Sequence, residues 1–187
     1  MKLKQDYATS SSPEGLSHYL GFSQTELEEK GALFTAREIA QQPDLWMKTW
    51  EKVVAQKDSL ASFLEEAFAH ESLSVILTGA GSSAYIGDVL QGPFQKNTGR
   101  QTIAIATTDM ISHPEHYFKA HTNLVISFAR SGDSPESVAA LQLADIFSEK
   151  TYHLIITCNP DGKLALLKET PNSRVLVFLL PPEADDQ

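Results

Sequence analysis

Five short apolar segments, separated by amphipathic stretches, constrain the fold of this chain more than any other feature. The segments are rich in β-branched residues, and their apolarity is continuous rather than alternating, as in strands buried on both faces of a sheet. The stretches between them are long enough to form helices. The predicted strands are residues 75–78, 103–106, 124–128, 154–157 and 175–180, and the predicted helices are residues 83–95, 109–118, 134–147 and 163–167.

Alternating strands and helices predict an α/β fold. Successive right-handed crossovers place the strands parallel to one another and cover both faces of the sheet with helices. We therefore predict a doubly wound, five-stranded parallel sheet flanked by helices and preceded by an N-terminal helical segment. Ligands of such sheets bind beyond the carboxyl ends of the strands, near the point where the strand order reverses.

The chain divides into four predicted regions. Residues 1–22 are polar and rich in Ser and Thr, which is typical of a disordered arm. Residues 23–70 form helices that pack on the domain, and residues 71–181 form the α/β domain. Residues 182–187 are proline-containing and acidic, which indicates a linker and hence a fragment of a longer protein.

Local signals mark the N-terminal helices. Ser23 is predicted to cap a short helix that Gly31 ends, and a capping box at residues 35–38 marks another start. Pro43 suits the first turn of a longer helix. An apolar stripe that includes Trp46 and Trp50 follows at three- and four-residue spacing, and we interpret it as helix packing.

Charge and composition exclude several functions. The net charge is −9, from 24 acidic and 15 basic residues, and no basic cluster reverses it locally, which argues against nucleic-acid partners and anionic membrane surfaces. No apolar stretch is long enough for a membrane helix, and the N-terminus is not a secretory signal. The single cysteine, Cys158, excludes an internal disulfide and an all-cysteine metal site. A cytoplasmic location is expected.

Two loops rich in serine and glycine carry the candidate chemistry. Residues 79–84 (Gly-Ala-Gly-Ser-Ser-Ala) follow the first predicted strand, and residues 131–137 (Ser-Gly-Asp-Ser-Pro-Glu-Ser) follow the third. Each leads into a helix whose free N–H groups attract anions. Capping and tight turning alone would explain either loop. Both loops at one edge of a sheet, however, supply enough donors for a single tetrahedral anion.

The two loops resemble those of the sugar isomerase (SIS) domain. From residue 35 onward the chain is most similar to the N-terminal half of the tagatose-6-phosphate ketose/aldose isomerase family, also described as galactosamine-6-phosphate deaminase/isomerase. One departure is Ala129, which stands where many SIS members carry a serine. The resemblance assigns residues 158–165 to the turn after the fourth strand. It implies a phosphate site formed by Gly81, Ser82, Ser83, Ser131, Gly132 and Ser134.

The resemblance implies binding of a hexose or amino-hexose 6-phosphate, with aldose–ketose isomerisation or deamination by the parent protein. It also implies a second SIS domain, a homo-oligomer and no cofactor. The catalytic residues are not identified, because in related isomerases the proton-shuttling Glu and the ring-opening His lie outside the matched segment. Glu136 is close to the second loop, but the helix dipole already explains a carboxylate there.

Two other functions stay open. A non-catalytic SIS module would bind the sugar phosphate as a sensor or structural half. A nicotinamide enzyme would also explain Gly79, Gly81 and Ala84 as a dinucleotide fingerprint, with Asp109 near the ribose. We rank the dinucleotide function lowest, since the second serine-rich loop has no role in it.

No metal site is predicted. His113, Glu115, His116 and His121 form the one group of candidate ligands, but they match none of the usual zinc-ligand spacings. Pro114 disfavours placing His113 and His116 on one helix face. We interpret these histidines as surface residues and the strand residue His153 as structural.

Overall fold

The computed structural model describes residues 18–185. Residues 1–17 of the predicted arm, and residues 186–187 of the predicted tail, lie outside this range. The remaining arm residues form a hairpin of two short strands, β1 (His18–Tyr19) and β2 (Phe22–Ser23). Residues Pro182–Asp185 form a single 3₁₀ turn.

Two compact units divide the chain between Met47 and Lys48. The first contains the hairpin, helix α1 (Gln24–Glu29) and the start of α2 (Leu33–Ala55). Ser23 caps α1 as predicted: its hydroxyl accepts a hydrogen bond from the Glu26 amide at 3.3 Å, and the Glu26 carboxylate accepts one from the Ser23 amide at 2.9 Å. Gly31 follows with a positive φ of 63°.

Two predictions about helix α2 are wrong. It runs without a break through Pro43, where the sequence predicts a helix start, although proline supplies no amide hydrogen for the helical ladder. Its tryptophans also do not pack as predicted. Trp46 is 66% exposed and Trp50 is 61% exposed. The three- and four-residue spacing therefore predicts the helix correctly, but it does not predict burial of these two side chains.

The second unit is built on a five-stranded sheet, which confirms the predicted fold class. Helix α3 (Lys57–Phe68) precedes it. All five strands are parallel, and their order is β4-β3-β5-β6-β7. The strands are β3 (Ser74–Gly79), β4 (Thr102–Ala106), β5 (Thr122–Ala129), β6 (Lys150–Thr157) and β7 (Ser173–Leu179).

The connecting helices match the prediction in part. Helices α4 (Ala84–Thr98) and α7 (Pro135–Phe147) form as expected. The stretch at residues 109–118 instead forms two short helices, α5 (Thr107–Ser112) and α6 (Pro114–Tyr117), because Pro114 starts a new helix. Residues 163–167 form turns rather than a helix, so the β6–β7 crossover is a loop.

Apolar cores cover both faces of the sheet. On one face, Phe63 and Ala67 of α3 pack with strand residues that include Leu77 and Ile126. On the other face, residues of α5 and α7 pack with alternate strand residues. Burying each large aliphatic side chain contributes about 1.5–3 kcal/mol. The second core contains Ile76, Met110, Phe118, Val125, Ala140, Leu141, Ala144, Ile155 and Leu164.

No helix within residues 18–185 is both long enough and apolar enough to cross a membrane.

Candidate functional site

The site predicted from sequence lies where the strand order reverses. Strand β3 pairs with β4 on one side and β5 on the other, so the crossovers that follow β3 and β4 run in opposite directions along the sheet. Gly79, the last residue of β3, lies opposite Phe128 of β5. The loops after β3 and β5 therefore leave the same edge of the sheet side by side, which is where such folds bind ligands.

The loop after β3 turns tightly into α4. A β-carbon on Gly79 would lie only 2.7 Å from the carbonyl carbon of Ser83, so glycine is required for the chain to fold back on itself here. Gly81 has a positive φ of 56° and begins a 3₁₀ turn that ends at Ser83. The Ser83 side chain makes no capping hydrogen bond to α4, and Ser82 is exposed. Both hydroxyls are therefore available to a ligand.

The loop after β5 turns into α7. Gly132 has a positive φ of 70° and is buried, whereas Ser131 is exposed. The Ser131 hydroxyl oxygen accepts a weak hydrogen bond from the Asp133 amide at 3.4 Å, which leaves its hydrogen for an acceptor such as a phosphate oxygen.

Ser134 differs from Ser131, because its hydroxyl is already hydrogen-bonded within the first turn of α7. It is the N-cap of α7, and its hydroxyl oxygen accepts a hydrogen bond from the Ser137 amide at 3.3 Å. The same hydroxyl donates to the Ser137 hydroxyl at 2.5 Å. Contact between Ser134 and a bound phosphate therefore requires the Ser134 hydroxyl to rotate away from Ser137.

Two long helices begin at these loops. Helix α4 has 15 residues and α7 has 13, and the N-terminus of each follows a serine-rich turn at the same edge of the sheet. Free N–H groups and the positive end of the helix dipole favour anions at such termini. A chain with a net charge of −9 therefore has local, directed donors for a small anion.

Relatives with this architecture are named for sugar phosphates. The chain is 44% identical over 168 residues to D-galactosamine-6-phosphate deaminase AgaS of Shewanella sp. (strain ANA-3), covering 88% of the chain and 43% of that relative. The structure of tagatose-6-phosphate ketose/aldose isomerase from Escherichia coli is 40% identical with a TM-score of 0.77, covering 84% of the chain and 43% of that protein.

A Clostridium novyi NT structure provisionally described as a tagatose-6-phosphate ketose/aldose isomerase is 42% identical with a TM-score of 0.83, covering 92% of the chain and 44% of that protein. No protein-family profile matches the sequence. Over most of its length the chain is therefore similar to part of each of these proteins, and it shares the fold of the two solved structures. It spans about two fifths of the length of the curated relatives it matches.

A third loop supports the second serine-rich loop. It follows β6, and its Asn159 side-chain amide donates a hydrogen bond to the Ser131 carbonyl at 3.1 Å. The Lys163 amide donates to the Asp133 carboxylate at 3.0 Å, and the Leu164 amide donates to the Gly132 carbonyl at 3.0 Å. These contacts fix the backbone that carries Ser131.

Gly162 makes the closest of these approaches. A β-carbon at Gly162 would lie 2.2 Å from the Ser131 carbonyl oxygen, a distance that no side chain tolerates. Sequence reasoning missed Asp133, Asn159 and Gly162 as positioning residues. The Asn-Pro-Asp-Gly turn at residues 159–162 signals a turn, but nothing local indicates which loop it contacts.

The remaining candidates lie in other settings. Glu136 is partly buried in the first turn of α7. His153 is fully buried in β6, where its Nε2 lies 2.8 Å from Asp145 Oδ1, in agreement with the structural role predicted for it.

His113 and His116 are exposed, as predicted for surface histidines, but they lie closer together than the position of Pro114 leads one to expect. Ligand atoms of His113, Glu115 and His116 all lie within 4.8 Å of one another, and all three residues are exposed. Pro114 does not separate the two histidines, because it occupies the first position of α6 and leaves His113 at the N-cap. His121 belongs to another contact, with its Nε2 2.9 Å from the Ser74 hydroxyl.

Proposed function

We propose that this chain is the phosphate-binding part of an enzyme that isomerises a hexose 6-phosphate or deaminates an amino-hexose 6-phosphate. One observation carries the proposal: two serine-rich loops, each opening a long helix, leave adjacent strands at the switch point of the sheet. Homology to proteins named for galactosamine 6-phosphate and tagatose 6-phosphate supports the choice of substrate class.

The proposed ligand residues are Gly81, Ser82, Ser83, Ser131, Gly132 and Ser134. Ser83 and Ser131 are the leading donors, because the Ser83 side chain makes no cap bond and the Ser131 hydroxyl keeps its hydrogen. Other backbone amides in the first turns of α4 and α7 complete the donor set, although Pro135 has no amide hydrogen and the Ser137 amide already donates to Ser134. A phosphomonoester presents three terminal oxygens, so donors from two loops bind it with a fixed orientation.

Galactosamine 6-phosphate and tagatose 6-phosphate, the sugars in the names of these relatives, can be the substrate and the product of one reaction. In the proposed reaction the sugar ring opens, a base removes the proton from C2, and the proton is returned at C1. An amino sugar then carries an iminium at C2, which takes up water and releases ammonia. From galactosamine 6-phosphate this sequence yields tagatose 6-phosphate. A carboxylate suits the proton transfer, since it acts first as base and then as acid.

The phosphate takes no part in bond making. Its binding energy holds C1 and C2 against the base, and such positioning lowers the barrier by restricting the motion of the reactants. This chain's residues perform the positioning. The acid–base residues and the ring-opening group are proposed to come from the rest of the longer protein, in keeping with the chain's coverage of about two fifths of its relatives.

The proposed macromolecular partner is a second SIS domain, within a homo-oligomer. Helix α4 exposes four apolar residues on one stripe, which indicates a surface that another domain covers. Tyr85 is 68% exposed and Val89 is 73% exposed, and Ile86 and Leu90 lie beside them. The helix begins at the proposed phosphate loop, so a domain packed on it would reach the bound sugar.

The proposed location is the cytoplasm. The single cysteine, Cys158, permits no disulfide within the chain, which suits a reducing compartment. Fractionation of cells that express the tagged protein tests this location, and recovery in a membrane or secreted fraction would contradict it.

Thermal unfolding with ligands tests the proposed function. Galactosamine 6-phosphate, tagatose 6-phosphate and inorganic phosphate should each raise the Tm, whereas unphosphorylated galactosamine should not. A ligand at 100 times its Kd adds about 2.7 kcal/mol to the free energy of unfolding. Ser83→Ala and Ser131→Ala should remove most of the shift. Ser62→Ala, an exposed serine on α3, is the matched control and should retain it.

The same titration separates the alternatives. A Tm shift with NAD and none with sugar phosphates would replace the proposal with dinucleotide binding. Sugar-phosphate binding by the full-length protein without any turnover would favour the non-catalytic SIS module.

A further inference from the structure

The sequence from residue 113 to 116 (His-Pro-Glu-His) forms a compact group of ligand atoms away from the serine-rich loops. His113 is the N-cap of α6, Pro114 is its first residue, and His116 is its third. The N-cap and third residues of a helix are neighbours in space, which is why capping boxes form between them. The His116 amide donates to the His113 carbonyl at 3.1 Å and closes this turn. The backbone therefore brings the two imidazoles together.

The side chains converge on a small volume. His113 Nδ1 lies 3.8 Å from Glu115 Oε1, and His116 Nε2 lies 3.7 Å from the same oxygen. Two ligand atoms that each lie about 2.0–2.2 Å from a zinc ion are separated by about 3–4 Å. Both measured separations match this spacing, and all the ligand atoms lie within 4.8 Å of one another.

The two imidazole rings are stacked on each other. Their centroids are 5.1 Å apart and the rings are inclined by only 19°. The third pair of ligand atoms is one ring nitrogen of His113 and one of His116, which lie within 4.8 Å of each other. All three side chains are exposed, so small rotations about their side-chain bonds bring these nitrogens to the separation of two zinc ligands. The 3.7 and 3.8 Å distances to Glu115 exceed a hydrogen bond, so a cation entering the group breaks no short contact between the three residues.

We propose that His113, Glu115 and His116 bind one divalent transition-metal cation of the zinc class. Two imidazole nitrogens and one carboxylate oxygen suit Zn²⁺, Co²⁺ or Ni²⁺, whereas Mg²⁺ and Ca²⁺ prefer sites made of oxygen ligands. Three protein ligands leave at least one position of a tetrahedral ion open to water or another ligand.

One of the three proposed ligands, His116, also lines a cavity in the same unit. A cavity of about 350 Å³ beside strand β4 is lined by His116, Tyr117 and Lys119 together with residues of β3, β4 and α4. The His116 and Tyr117 rings meet edge to face with centroids 6.3 Å apart. The proposed cation therefore lies at the rim of a cavity that is distinct from the serine-rich loops.

Isothermal titration of the tag-free chain with ZnCl₂ tests the proposal. We expect one zinc per chain, unaffected by excess Mg²⁺. His113→Gln, Glu115→Gln and His116→Gln should each weaken binding by about tenfold or more, because a tridentate site becomes bidentate. His121→Gln and Glu149→Gln are the matched controls and should bind as the wild type does. The four changes at the exposed residues His113, Glu115, His116 and Glu149 should leave the unfolding midpoint of the zinc-free protein within about 2 °C of the wild type, since single surface substitutions change stability little.

A second measurement locates the ion. Long-range ¹H–¹⁵N spectra of the imidazoles should show the ring nitrogens of His113 and His116 shifting on zinc addition, and Co²⁺ should give visible absorption bands that His116→Gln removes. Absence of binding at one equivalent would overturn the proposal. Zinc binding that survives all three ligand substitutions, or shifts confined to other histidines, would also overturn it.

Discussion

At the residue scale, the site depends on close backbone approaches that only glycine permits. Gly162 supports the Ser131 carbonyl, and Gly162→Ala would place a methyl group 2.2 Å from that oxygen. The second serine-rich loop must move, so we expect a loss of about 1–3 kcal/mol in the free energy of unfolding and weaker sugar-phosphate binding. Urea denaturation and ligand titration measure the two effects.

Gly92→Ala is the control for this change. Gly92 lies inside α4, and a β-carbon added there would meet nothing within 4 Å apart from its chain neighbours. The gain in helix propensity is offset by the preference of a residue before Pro93 for extended backbone, so alanine should change the free energy of unfolding by less than about 1 kcal/mol. Equal effects of the two substitutions would contradict the proposed support of the Ser131 loop by Gly162.

Residue-level sequence reasoning succeeded where the chemistry is local. Ser23 and Ser134 cap helices as their sequence context indicates, and the glycine at residue 81 has the positive φ that a tight turn demands. It failed for Asn159 and Gly162, whose contacts join loops about 30 residues apart in sequence. The local sequence around a residue does not indicate which distant loop it contacts.

At the element scale, an ion-pair network ties α3 to the sheet. The Glu66 carboxylate accepts hydrogen bonds from Tyr152 at 3.0 Å, Lys150 at 3.3 Å and Arg174 at 3.2 Å. Burial raises the pKa of Glu66, but these hydrogen bonds and the charges of Arg174 and Lys150 outweigh it and hold the pKa below its usual value of 4.5.

This depressed pKa predicts an acid-dependent loss of stability. The ionised form of Glu66 is favoured in the folded state, so its contribution is present above pH 4.5 and is lost as the pH falls through the lower folded-state pKa. Glu66→Gln should lower the free energy of unfolding at pH 7 by about 1 kcal/mol or less, since the side chain is 38% exposed and screened. Urea denaturation between pH 3 and 7 measures both effects.

Glu65→Gln is the control for the network, because Glu65 is an exposed neighbour on the same helix. It should leave the pH dependence of unfolding unchanged. The same pH dependence in Glu66→Gln and the wild type would contradict the role given to Glu66.

Edge strand β4 is covered by side chains of α4. The Thr102 amide donates to Gln95 Oε1 at 3.1 Å and the Ala104 amide donates to Gln91 Oε1 at 2.5 Å. Replacing both glutamines with alanine exposes these amides, and an exposed edge pairs with other chains. We expect greater self-association in light scattering. Gln142→Ala, an exposed glutamine on α7, is the control, and equal self-association of both variants would contradict the covering role.

Element-level prediction was reliable for strands and weaker for helices. Continuous apolar runs located all five strands, because burial on both faces leaves a strong signal. The helix expected at residues 163–167 is absent, and α2 continues through Pro43. Tertiary contacts, such as the hydrogen bond from the Leu164 amide to Gly132, override weak local preference at such positions.

At the scale of the whole molecule, the exposed face of α4 makes a prediction about assembly. In the proposal, a second SIS domain covers Tyr85, Ile86, Val89 and Leu90. A second copy of the chain should take its place when this chain is studied alone, because apolar surface favours burial. Val89→Asp should therefore shift the sedimentation profile toward the monomer.

Val54→Asp is the matched control, since Val54 is an exposed valine on a different helix, α2. It should leave the assembly state unchanged. A monomeric wild-type chain at high concentration, or equal effects of the two valine substitutions, would contradict the proposed role of α4.

The loops after β3 and β5 are proposed to bind one phosphate together. Backbone amide spectra of the ¹⁵N-labelled chain, recorded during titration with galactosamine 6-phosphate, test it most directly. We predict saturable shifts concentrated at residues 79–84 and 130–137 with a single apparent Kd, and weaker shifts of the same amides with inorganic phosphate. Shifts in only one of the two loops, shifts concentrated elsewhere, or no shifts at millimolar ligand would contradict the claim.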